Sequence, residues 1–216
     1  MVTQTAEIPT TTPDGGAAEK TPQSAFTAAM EYAEHGWPVL PGSTWNGRRY
    51  QIPGTNRITD GVRPTVPRNY ATTRGSTITE WWGLRGPLVP TVLLRSGLAF
   101  DVLSVARPLA ELVIKHTAFR NNAGPVAFRP DKGRAYFMVT PGEIPATGFG
   151  GDPGEIVLME SGSWILVPPA RLSPGVNAVW LVTPEHVGWK LATFEIVRDV
   201  LSLVVKNRAL VPPPTL

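Results

Sequence analysis

Ala29-Met30-Glu31-Tyr32-Ala33-Glu34-His35-Gly36-Trp37-Pro38-Val39-Leu40-Pro41 is a helix handing over to a strand. Upstream, Thr21 is placed to cap that helix and Pro22 to take its first position, where a missing N–H costs little. Phe26, Met30 and Ala33 recur at helical spacing and predict the buried face. Gly36 ends the helix, because glycine enters a left-handed turn without steric penalty. Trp37-Pro38-Val39-Leu40 then predicts a strand leaving that turn.

Outward from this unit the signals alternate. Residues 41–75 are dense in Gly, Pro, Thr and Arg and predict long loops, a kind of segment that often carries function. Thr77-Ile78-Thr79-Glu80 has the capping-box pattern and predicts a helix start before Trp81 and Trp82. The two rings cannot share one helix side, so one is expected in the core and the other partly exposed. Strands are predicted at 91–94, 98–103, 125–129, 134–139, 155–159, 163–167 and 178–182. A helix over 107–117 opens with Pro108 and sets Leu109, Leu112 and His116 on one side. A longer one, 190–207, carries Phe194, Val197, Leu201 and Val204 on its stripe. The order predicts a mixed α/β (α+β) domain over 21–210. Residues 1–20 read as a disordered tail and 211–216, with three consecutive prolines, as an extended end.

Composition narrows the function classes. No cysteine is present, so disulfides and thiolate metal sites are excluded. No apolar run approaches the roughly 20 residues that span a bilayer, and the first twenty residues lack a signal-peptide core. A cytoplasmic protein with no membrane partner is expected. Charge is uneven: residues 1–40 carry about −4, and residues 41–100 about +6, from eight arginines against Asp60 and Glu80. Arginine suits bidentate phosphate contact better than lysine does. Trp45, Tyr50 and Tyr70 alternate with Arg48, Arg49, Arg57 and Arg68, the makings of a surface for single-stranded nucleic acid. The plain alternative is a solvated basic surface whose rings pin loops to the core.

Four blocks resemble the bifunctional DNA primase/polymerase N-terminal domain family. The 29–41 segment is similar to its opening helix and Gly-Trp-Pro-Val turn. Tyr70-Ala71-Thr72-Thr73-Arg74 with Trp81-Trp82 resembles its Ala-Thr-Thr-Asp…Trp-Trp segment. Gly97-Leu98-Ala99-Phe100-Asp101-Val102 resembles its Gly-Leu-Val-Val-Leu-Asp strand. Gly162-Ser163-Trp164-Ile165-Leu166-Val167-Pro168-Pro169 resembles its Gly-Gly-Tyr-Val-Val-Ala-Pro-Pro segment. The resemblance implies the archaeo-eukaryotic primase fold, with an RNA-recognition-like sheet.

It also implies a chemistry. Two divalent metals, Mg²⁺ or Mn²⁺, would clamp the attacking and leaving oxygens of phosphoryl transfer. In the family an Asp-x-Asp pair, a His on a following strand and a third Asp serve that site. Here Asp101 is followed at i+2 by Leu103, and a one-residue shift gives Val102 and Ser104 instead. Arg134 stands at the His position and Val157 near the third Asp. Asp101 is the one surviving catalytic candidate, and no metal ligand set is expected. Arg48, Arg49, Arg68, Arg74 and Arg134 are the candidates for contact with nucleic acid or nucleotide phosphates.

The expected function is a catalytically degenerate primase–polymerase-like domain, an accessory DNA- or RNA-binding protein in replication or repair, without a cofactor. Two alternatives stay open: an active polymerase with a rearranged metal site using Asp101, and a module that binds a protein partner. His35, His116 and His186 lack ligand-spaced partners. Gly148-Phe149-Gly150-Gly151-Asp152 lacks the Lys-Ser/Thr of a phosphate loop and reads as a plain turn.

Overall fold

A computed structural model describes residues 24–83, 87–142 and 154–209. The expectations for 1–20, 148–152 and 211–216 fall outside the described residues.

The opening helix α1 (Ala25–Glu34) is capped by Ser24, whose Oγ accepts from the Thr27 N–H at 3.1 Å, and the expected roles of Thr21 and Pro22 fall outside the described residues. Its buried face is Ala28, Ala29, Tyr32 and Ala33, and Phe26 of the expected stripe is exposed. Small alanines let the helix lie close on the strands beneath it. Gly36 takes φ +78°, and the Trp37 N–H reaches back to the Tyr32 carbonyl at 2.9 Å. β1 (Val39–Gly42) follows, buried on both sides.

The stretch expected as long loops holds three two-residue strands, β2 (Thr44–Trp45), β3 (Tyr50–Gln51) and β4 (Ile58–Thr59), paired as a small meander. Strands this short show no hydrophobic alternation in sequence. α2 (Gly75–Trp82) begins right after Arg74, so Thr77 and Glu80 lie inside the helix and form no capping box. Trp82 is the core ring, its indole N–H donating to the Pro90 carbonyl at 2.9 Å, and Trp81 is half-buried.

β5 (Thr91–Arg95) and β6 (Asp101–Ala106) come next. β6 starts three residues later than the expected 98, because Gly97 to Phe100 form a turn closed by the Gly97 N–H on the Phe100 carbonyl at 2.8 Å. α3 (Arg107–Lys115) buries Leu109, Ala110 and Val113, leaving Leu112 exposed. Then follow α4 (Thr117–Arg120), β7 (Val126–Arg129), β8 (Arg134–Val139), β9 (Ile156–Leu158) and β10 (Trp164–Leu166). β11 (Arg171–Ser173), β12 (Val176–Asn177), β13 (Val179–Val182) and α5 (Phe194–Ala209) complete the chain. The expected stripe of α5 is buried.

A five-stranded antiparallel sheet, ordered β13-β7-β8-β6-β9, is the frame. Alternation splits its side chains between two cores. Leu103, Val105, Val126, Phe128, Ala135 and Phe137 meet α3, α4 and α5. Val102, Ala127, Tyr136 and Met138 meet α1, α2 and the β1-β5-β10 sheet on the other side. Burying a large aliphatic or aromatic side chain contributes about 1.5–3 kcal/mol, so these two layers hold the fold. Tyr32 ties α1 to them: its hydroxyl donates to the Pro168 carbonyl at 2.8 Å. The architecture is the mixed α/β class that the sequence implies. Among the described residues no helix is long and apolar enough to cross a membrane.

Candidate functional site

The site is set by which side of β6 each residue takes. Leu103 and Val105 point to the helices, and Asp101, two residues before Leu103, shares their side. Asp101 is 9% exposed and accepts from the Gly142 N–H at 3.2 Å. Val102 and Ser104 point to the opposite side. The register places Ser104 between Tyr136 on β8 and Val157 on β9, and Ala106 opposite Arg134. Val102, Ser104, Arg134, Tyr136 and Val157 therefore share one sheet face, and Asp101 is not among them.

That face is covered at one end and open at the other. Val102 and Met138 are fully buried under the second layer, whereas Val157 is 43% exposed. At the open end Arg134 donates from Nε to Ser104 Oγ at 2.9 Å, from Nη1 to the Gly154 carbonyl at 2.6 Å and from Nη2 to the Ser104 carbonyl at 2.5 Å. Burial draws its pKa down from the ordinary guanidinium value, against the pull of Tyr136 and Glu155. It remains a cation at any physiological pH.

Arg129 stands directly opposite Arg134 across the β7–β8 ladder. Like charges so placed repel. Asp131 relieves one of them with two bonds to Arg129, at 2.9 and 3.1 Å. Burial would lower the Arg129 pKa, but the Asp131 carboxylate more than offsets this and the net direction is up. Among the described residues no carboxylate lies within ion-pair distance of Arg134. Arg129, Asp131 and Tyr136 are members of the site that sequence reasoning missed. The signal was there: Pro130-Asp131-Lys132-Gly133 is a hairpin loop, with Gly133 at φ +59°, and counting outward pairs the two arginines.

The other expected contacts lie on separate segments of the chain. Arg48 and Arg49 are exposed in the β2–β3 turn, beside Tyr50, which lies close enough to Asp131 and Arg129 to feel their charges. Arg68 and Arg74 are exposed on the segment that bridges to Val39 through Thr72. The described contacts do not join them to Arg134. Of the three rings, Trp45 and Tyr50 pack edge to face, with centroids 5.3 Å apart, and Tyr50 donates to the Leu172 carbonyl, so they pin the meander. Tyr70 is 60% exposed and free to stack. His35 stacks on Trp189, His116 caps α4, and His186 lines a cavity of about 700 Å³ between α4 and β13 that shares no residue with the Arg134 face.

Three tyrosines link stability to alkaline pH. Burial raises the pKa of Tyr32, Tyr50 and Tyr136, in the last case against Arg129 and Arg134. In the unfolded chain each would ionise near pH 10. Above that pH the unfolded state has released protons that the folded state still holds, so stability falls as pH rises. The urea midpoint is expected to be lower at pH 11 than at pH 8, while absorbance at 295 nm shows late tyrosine ionisation in the native protein. An unchanged midpoint would contradict this.

The sheet, its two covering layers and a polar open end on one face define a mixed α/β domain. The model of the family described as bifunctional DNA primase/polymerase, N-terminal, matches residues 29–193, and the chain belongs to that family. No curated protein and no solved structure matches it.

The family implies a divalent metal site, and the described residues of the open face do not fit one. Hard cations need oxygen ligands, several of them charged. The open face offers Ser104 flanked by Val102 and Val157, with a guanidinium across it. Among the described residues no group of three His, Cys, Asp or Glu could hold a metal ion. Glu155 is paired with Arg208 at 2.7 Å.

Proposed function

We propose that this primase–polymerase-type domain is catalytically degenerate and binds nucleic acid or nucleotide in an accessory role in DNA replication or repair. One observation carries the reading. On the sheet face that carries Arg134 and Val157, which the resemblance sets at the positions of the family's His and third Asp, stand Val102 and Ser104, and Arg134 is bonded to Ser104. A cation fixed there opposes a metal and favours a phosphate. Asp101 has a structural task on the helix-covered face, closing the chain after β8 through Gly142. The exposed Arg48, Arg49, Arg68 and Arg74 supply further positive charge around the domain, and Tyr70 a ring for stacking.

Two measurements test this. Template-directed nucleotide incorporation with Mn²⁺ is expected to be absent from the purified protein and from Asp101→Asn alike. Incorporation that Asp101→Asn abolishes would overturn the degenerate reading. Affinity for a labelled single-stranded oligonucleotide should fall about 10²-fold between 50 and 200 mM salt if the five arginines each meet a phosphate. A flat salt response would remove nucleic acid from the proposal.

A further inference from the structure

We propose that Arg134 takes the place of the divalent cation, so that the open end of the sheet binds phosphate without metal. This rests on the function proposed above and specifies its ligand chemistry. A guanidinium has five N–H groups. Among the described residues three are engaged, with Ser104 and Gly154, which leaves two, one on each Nη. The three bonds hold the group still. The two remaining donors suffice for a two-point contact with a phosphate.

Charge points the same way. All three acceptors of Arg134 are neutral oxygens, and Asp131 is bonded to Arg129 instead. Two arginines thus face each other with the Asp131 carboxylate bonded to one of them, and Glu155, whose charge also reaches Arg134, is paired with Arg208, so the end keeps a net positive charge. An anion relieves that repulsion, and a divalent cation adds to it. Val157 beside Ser104 is open to solvent, so a ligand has access. Phosphate is the shared chemistry of two sources, the triphosphate of a free nucleotide and the backbone of a strand.

The test uses the full chain with two probes, dATP by calorimetry and a fluorescent 20-residue oligo-dT by anisotropy. Each is run in EDTA and in Mn²⁺. Binding of at least one probe in EDTA, strengthened less than twofold by Mn²⁺, is expected. Arg134→Gln, with folding checked by circular dichroism, should weaken that binding at least tenfold, and Arg134→Lys by less. Which probe responds identifies the source of the phosphate. Binding that requires Mn²⁺ would overturn the proposal on the unaltered protein, whether or not the variants fold. Binding in EDTA that Arg134→Gln leaves intact would also overturn it, while the accessory-binding reading survives. Binding of neither probe in either buffer would overturn both.

Discussion

Phe137→Ala should cost about 4 kcal/mol of stability, within the range of about 3–5 kcal/mol for large-to-small changes at a buried aromatic. Phe137 is 1% exposed and lies in the central strand of the five-stranded sheet. It pairs with Leu103 on one side and Val126 on the other, and its ring meets Phe119 edge to face at 5.5 Å. Its removal opens a cavity where β6, β7 and α4 converge, and a strand paired on both sides cannot move to fill it. Against a total of about 5–15 kcal/mol, that is a large fraction. Urea unfolding followed by circular dichroism reads it as a lowered midpoint with an unchanged slope. A loss under 1 kcal/mol would mean that this core is looser than its burial shows.

Gly124→Ala is expected to cost about 3 kcal/mol, the upper part of the overpacking range. A Cβ there would stand 2.4 Å from the Ala192 backbone N, 3.0 Å from the Met138 carbonyl and 3.2 Å from Ala192 Cβ. Two of these atoms are backbone and cannot rotate aside. Ala192 forms a parallel bridge with Val139, and its carbonyl accepts from the Thr140 N–H at 2.9 Å. The added methyl must push the chain entering α5 away from β8. Thermal unfolding of the variant against the parent checks this. An unchanged midpoint would show that the 190–193 segment yields freely.

The two substitutions differ in what could have forecast them. Phe137 sits in an apolar run, so its burial is legible from sequence. Nothing around Gly124 marks it as a point where separate chain segments touch. Its φ is ordinary, and its need for a bare Cα comes from residues 14 and 68 positions away in the chain.

The same division runs through the site. Local chemistry determined α1 and its Gly36 turn, the stripe of α5, the strand over 134–139 and the family resemblance, because helical periodicity and turn residues act over a few positions. The small meander, the start of β6 and the buried face of α3 escaped that reading, since each depends on what packs against it. Sequence also named Arg134 and Asp101 as candidates. Only the tertiary structure decided that they lie on opposite sides of the sheet. A one-residue step in strand register moves every side chain to the other face, and the register of β6 is set by pairing with β8 and β9, 28 or more residues downstream.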